Sequence, residues 1–134
     1  MKVVGLDGKA YKLNLVGHVP LMDYERQTSH LHQRARSLLN EMFPLERILE
    51  EVVLPGTGGL SADFFVPMKK LVIEVQGQQH YKFIQHFHKS ETDFKKSIQR
   101  DENKMQWCKL NNICLVSLPY SETDDEWKLR IGGR

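Results

Sequence analysis

The chain has 134 residues, 40% of them hydrophobic and 27% charged, with a formal net charge of +2 at neutral pH. That length and apolar content suit a single domain with one core. No apolar run long enough to span a bilayer occurs, and no signal-peptide pattern opens the chain, so a membrane protein and a secreted one are both unexpected and the cytosol is the expected location. The charge is uneven: residues 69–109 carry nine Lys/Arg against five Asp/Glu, whereas the first 68 carry seven against eight. A basic block of this kind suits a polyanion-binding surface, although a solvated helix face has the same composition.

In chain order, Asp7-Gly8 between two short apolar-rich runs predicts a β-hairpin with a two-residue turn within residues 1–18, since both central positions need positive φ. Thr28 and Ser29 are candidate N-caps for a helix with Leu31, Ala35, Leu38, Leu39 and Met42 on one face. Pro44 breaks or restarts it, and "PLERILEEVV" continues with Leu45, Ile48, Leu49 and Val52 inward at helical spacing. "LPGTGG" ends that segment. Strands are predicted at about 61–66 and 71–76, followed by "GQQHYKFIQHFHK" as a third strand leading into a loop. Ser90-x-x-Asp93 reads as the start of a long helix reaching about Asn111, "ICLVSLP" as a buried strand, and "SETDDEWKLRI" as a terminal helix over about 121–131 capped by Ser121. Cys108 and Cys114 lack zinc spacing and read as reduced core residues. The whole is an α/β layout with no linker or repeat, a single domain over 1–134 with its core at about 28–118.

Two acids interrupt otherwise apolar strands. A turn centred between Met68 and Lys69 sets Phe64 opposite Ile73 and Asp63 opposite Glu74, so the two carboxylates become cross-strand neighbours. Opposed Cβ atoms lie about 4.5–5.5 Å apart, where like charges repel. A divalent cation reverses that sign, and Mg²⁺ needs few protein carboxylates because it keeps waters and takes phosphate oxygens. Pairing with lysines on a solvated face is the alternative. Alternation places Asp63, Phe65, Val72, Glu74 and Gln76 on one face and the wholly apolar Phe64, Val66, Leu71, Ile73 and Val75 on the other, the expected core side. On the long helix, Phe94, Ile98, Met105 and Cys108 form an apolar stripe with Asp101 near its centre.

"Asp63…Glu74-Val75-Gln76" resembles the Glu-x-Gln variant of the PD-(D/E)XK nuclease superfamily. The longer stretch "ADFFVPMKKLVIEVQGQQHY" is similar to its very-short-patch-repair-like branch and related homing endonucleases, and the resemblance covers about residues 44–118. It implies a restriction-endonuclease-like core: a mixed central sheet flanked by helices, here with an N-terminal hairpin. It implies Asp63 as the central metal ligand, Glu74 as the second and Glu46 in the place of the helix acid. Gln76 stands where the superfamily has a lysine. Gln76 or His80 stands for the branch's histidine, leaving the general base open. Asp101 matches an Arg-Asp pair and would orient His80 or Gln76, a buried structural ion pair being the other reading. Lys82, Lys89, Lys95, Lys96, Arg100 and Lys104, with His86 and His88, are candidate phosphate contacts.

The expected function is therefore a Mg²⁺-dependent endonuclease, with Mn²⁺ able to substitute. It would hydrolyse phosphodiester bonds of double-stranded DNA, as a site-specific homing or phage-type enzyme working in the host cytoplasm if phage-encoded. A mismatch or repair nicking enzyme and a non-cleaving nuclease-like DNA-binding module are the alternatives. One acid cluster per chain favours a homodimer for cutting both strands, with the hairpin or helix 29–43 open as its interface.

Overall fold

The computed structural model describes residues 1–15, 29–77 and 91–133. Among them the elements run β1 Lys2–Val4, β2 Ala10–Lys12, α1 His30–Met42, β3 Leu49–Val53, β4 Ser61–Val66, β5 Leu71–Gln76, α2 Glu91–Leu110, β6 Cys114–Pro119 and α3 Asp124–Gly132. β1 and β2 pair with each other. The remaining strands form one sheet in the order β3-β4-β5-β6, antiparallel except for the parallel β5–β6 pair that α2 bridges. This is the mixed α/β architecture expected, a mixed sheet flanked by helices with an N-terminal strand pair.

The hairpin turn is wider than Asp7-Gly8 predicts. Val4 pairs with Ala10, and the loop is closed by Gly5 N–H donating to Lys9 O (2.9 Å). The reason is local: the Asp7 carboxylate accepts from Lys9 N–H and the Tyr11 hydroxyl, which holds the Asp-Gly pair as the tip of a larger loop. The hairpin then docks on the residues after β3. Leu6 N–H donates to Gly56 O, and a Cβ on Gly56 would lie 2.3 Å from Gly5 Cα, so the two backbones touch only because both are glycine. Val3 and Leu13 enter the core. The hairpin and α1 both bury apolar residues in the chain's own core.

α1 starts at its predicted cap, the Ser29 hydroxyl accepting from His32 N–H, and buries Ala35, Leu38 and Leu39. The helix predicted to follow Pro44 is instead strand β3. Leu49 and Val52 do both enter the core at a helix-like spacing of three. The spacing arises because Glu51, between them, adopts φ 51° and breaks the two-residue alternation of the strand. Pairing with Phe65 and Ala62 of β4, together with the β-branched Val52 and Val53, decides in favour of strand over periodicity.

The β4–β5 register is the predicted one, Phe64 opposite Ile73 and Val66 opposite Leu71, around a 3-10 turn at Pro67–Lys69. Phe64, Val66, Leu71 and Ile73 pack on Leu38 and Leu39 of α1 and on Trp127 and Ile131 of α3. The other face also carries a core, contrary to the one-sided expectation: Phe65 and Val72 pack with Leu49, Val52, Trp107 and Cys108. A parallel crossover lays α2 across this face, so the sheet is covered on both sides. α2 is rotated from the predicted stripe, with Trp107 and Cys108 buried while Ile98 and Met105 are 40% and 47% exposed. Both cysteines are free, but Cys114 is exposed at the start of the edge strand. α3 is capped by Thr123 and not by Ser121, because Glu126 three residues on completes a capping box. Among the described residues no helix is long and apolar enough to cross a membrane. The predicted third strand after Gly77 and the Ser90 cap lie outside the described residues.

Candidate active site

The β4–β5 ladder runs from Val66–Leu71 to Phe64–Ile73, and one step further side chains replace backbone partners. Asp63 N–H donates to Glu74 Oε2 (2.8 Å), and Val75 N–H donates to Asp63 Oδ2 (2.8 Å). Each carboxylate is thus fixed by a backbone amide of the other's strand, and the two acids are locked side by side. From α2, Lys104 Nζ donates to Glu74 Oε1 (2.6 Å), with both side chains largely buried. Burial pushes the Glu74 carboxyl up, and the Asp63 charge adds to it, to about 7 even with the Lys104 ammonium in contact. Cys108, on the buried side of the same helix, has its thiol pushed up to about 12 by burial and then by the Glu74 charge.

A cleft of about 160 Å³ opens beside this group, between α2 and the β5–β6 edge of the sheet. Glu74, Gln76 and Ser117 line it from the strands, where Ser117 is the ladder partner of Glu74. Asp101 and Lys104, three residues apart on one face of α2, line it from the helix. Ile98, Met105 and Leu115 form its apolar side.

No set of three or more His, Cys, Asp or Glu side chains is grouped for a metal among the described residues. The donor set still fits a hard cation that keeps most of its water. It consists of two carboxylates held adjacent, one of them with its acidity suppressed partly by the charge of the other, a repulsion that a divalent cation relieves. Asp63 and Glu74 are the residues that would hold it.

The other predicted residues divide. Gln76 and Asp101 line the cleft with Glu74. Glu46 does not join them: it lies in the loop after α1, with Lys69 Nζ 3.8 Å from its Oε1. That turn precedes Glu74 by five residues of extended chain, on the order of 15 Å. Lys95, Lys96 and Arg100 are exposed on α2, as a phosphate-contacting role requires. Lys104, expected among them, is turned inward onto Glu74. His80, Lys82, His86, His88 and Lys89 lie outside the described residues. Glu51 falls at the β3–β4 register position beside Asp63.

Two features escaped the sequence reading. One is the Lys104–Glu74 bond, whose signal in the sequence is a lysine three residues after Asp101, on the same face of the long helix. The other is a polar cluster on the opposite sheet face. Glu50 accepts a paired bond from the Arg36 guanidinium (2.8 Å and 2.8 Å), and His32 Nε2 lies 2.6 Å from its Oε1. His32 also stacks on Phe64, ring centroids 4.4 Å apart. Burial alone would push the Glu50 carboxyl up, but the bonds from His32 and Arg36 outweigh it and hold it at about 2.

No protein-family model and no solved structure matches the chain. Among curated proteins it is 44% identical over 69 residues to Uncharacterized protein 307L of Invertebrate iridescent virus 6, covering 52% of this chain and 35% of that protein. It is 38% identical over 81 residues to Uncharacterized protein 094L of Frog virus 3 (isolate Goorha), covering 59% and 52%. It is 37% identical over 68 residues to Uncharacterized protein 033L of Invertebrate iridescent virus 3, covering 50% and 35%. The matches thus span about half or less of the relatives' own length.

Proposed function

We propose that the chain is a Mg²⁺-dependent endonuclease that hydrolyses phosphodiester bonds in DNA, a PD-(D/E)XK-type enzyme in the homing or phage-like setting. The observation that carries this reading is the convergence of Asp63 and Lys104 on Glu74, which with Lys104 lines one end of a cleft. Paired carboxylates and one ammonium, with Glu74 buried and Asp63 and Lys104 partly so, are an expensive arrangement for a fold with no chemical use for it. The viral sources of the three relatives accord with a virus-encoded setting.

Asp63 and Glu74 would hold Mg²⁺, with Mn²⁺ able to substitute, and the ion would supply Lewis-acid chemistry toward a phosphodiester and water. The chain's own residues do the rest. The Asp63 and Val75 amides fix both carboxylates before any ligand arrives, so no reorganisation is needed on binding. Lys104 brings the positive charge that Gln76 lacks at the superfamily's lysine position, now from the helix side of the cleft. Gln76 offers an amide for a water or phosphate oxygen, and Asp101 positions groups from α2. Lys95, Lys96 and Arg100 attract the DNA backbone without regard to sequence. A homodimer supplies the second site that a double-strand break requires.

The test is a plasmid-cutting assay with and without Mg²⁺, comparing the parent with Asp63→Asn and Glu74→Gln. Both substitutions should abolish cleavage while leaving DNA affinity equal or higher, because they remove negative charge beside phosphate. Full cleavage by either variant overturns the site. DNA binding without metal-dependent cutting by the parent points to the non-cleaving module instead.

A further inference from the structure

The cleft beside the carboxylates has one side that phosphate chemistry does not use. Ile98 and Met105 lie two helical turns apart on one side of α2 and are 40% and 47% exposed. Their helix neighbours toward solvent are Lys95, Lys96, Gln99 and Arg100, the residues expected on a wetted face. Leu115 faces them from β6, and Ser117 and Gln76 put a hydroxyl and an amide into the same space. This apolar side with two polar groups has the usual build of a small-ligand site, and the charged Glu74, Asp101, Glu102 and Lys104 line the rest of the cleft.

Size narrows the ligand. A pocket that takes a whole drug-sized ligand is normally about 300 Å³ or more, whereas an apolar cavity of about 150 Å³ holds benzene. At about 160 Å³ the cleft has room for one planar base, mono- or bicyclic, and excludes a stacked pair. Its position relates the ligand to the carboxylates. Ser117 is the ladder partner of Glu74, so whatever occupies the apolar side lies next to the group bonded at Glu74.

Resting on the phosphodiesterase reading above, we propose that this cleft receives the nucleobase adjacent to the scissile phosphate, and that the preferred substrate is a strand in which that nucleotide is unstacked, as in a bulge or a single strand. Within a paired, stacked duplex the base is turned toward its partner strand and reaches such a cleft only by extrusion, at the cost of its pairing and stacking. A base already unstacked does not bear that cost. Met105 and Ile98 offer the surfaces against which its face lies, the methionine sulfur being well suited to a π-system. Ser117 and Gln76 offer hydrogen bonds to its edge without selecting one base.

Two measurements test this on the full chain. The first is single-turnover cleavage in Mg²⁺ of matched DNAs that are perfectly paired, carry a one-nucleotide bulge, or are single-stranded. The second is emission of 2-aminopurine at the bulge on titration with metal-free Asp63→Asn protein, which reads base capture without turnover. Unpaired substrates should be cut about tenfold faster than the paired one, because only the paired base must first be extruded. The emission should change saturably. In Met105→Ser and Ile98→Ser, whose exposed positions tolerate polar side chains, the rate ratio should fall toward unity and the saturable emission change should be lost. Equal rates on paired and unpaired DNA with no emission change overturn the base site and leave the nuclease reading standing. A saturable emission change lost in both serine variants, without cleavage of any DNA, upholds the base site and overturns the nuclease reading. Neither signal overturns both.

Discussion

Lys104 and Glu74 meet across the boundary between α2 and the sheet at 2.6 Å, an ammonium and a carboxylate separated by 30 residues of chain. The bond puts a permanent cation where β5 itself offers Gln76, and it limits how far burial and Asp63 together suppress ionisation of Glu74.

Lys104→Gln should lower single-turnover cleavage by about 10²-fold, the usual loss when one charge-stabilising donor is removed. DNA affinity should change much less, because Lys104 is turned away from the exposed cations of α2. Gln76→Ala should lose less, about tenfold, since it removes a hydrogen bond and no charge. A Lys104→Gln enzyme with the parent's rate would return the lysine to a structural role.

The pH dependence follows from Glu74. Its carboxyl sits at about 7 in the folded chain against an ordinary 4.5. The folded state therefore keeps a proton that the unfolded state has lost, so the stability Glu74 contributes is fully present below 4.5 and is lost as pH rises through 7. Glu74→Gln cannot ionise, and its stability should gain on the parent between about pH 5 and about pH 8, by at most ~3 kcal/mol. Mg²⁺ should recover the parent at the alkaline end, because the metal needs the ionised pair. A stability difference flat across that range in urea melts would show that Glu74 is ionised throughout.

Glu50, on the other sheet face, behaves in the opposite sense. Its folded value near 2 lies below the ordinary 4.5, so its contribution is present above 4.5 and is lost as pH falls through 2. Glu50→Gln should destabilise the neutral protein by about 2 kcal/mol, less than a fully buried pair would because Arg36 is 31% exposed. The deficit should shrink on acidification, and the folded protein should keep its cleavage rate. Loss of cleavage at full stability would place the His32–Glu50–Arg36 cluster in the site.

A symmetric dimer predicts a specific mixing result. Parent protein with excess Asp63→Asn should form heterodimers that nick one strand and accumulate open-circular plasmid. A species that sediments as a monomer and still linearises plasmid in one binding event would remove the dimer.

The central hairpin was legible because everything that determines it is local. Alternation from Ser61 to Gln76, broken by Pro67, fixes the register, since a slip of one residue would turn Phe64 and Ile73 to the wrong face. Asp63 beside Glu74 followed from that alone, as the Ser29 cap and the span of β6 followed from their own residues. The segment after Pro44 was misread because spacing records burial and not conformation. A residue at positive φ, Glu51, gives a strand the three-residue spacing of a helix, and only pairing with β4 reveals it. Glu46 was carried away from the site with that segment. Lys104 was misplaced because α2 was phased on its apolar residues alone. The parallel crossover sets the helix over the sheet so that Ile98 and Met105 face the cleft mouth while a lysine stem runs beneath it to Glu74. Strand registry is an interaction between near neighbours in sequence and is written there. Which distant charges meet depends on how two elements cross, an angle and a rotation that packing decides.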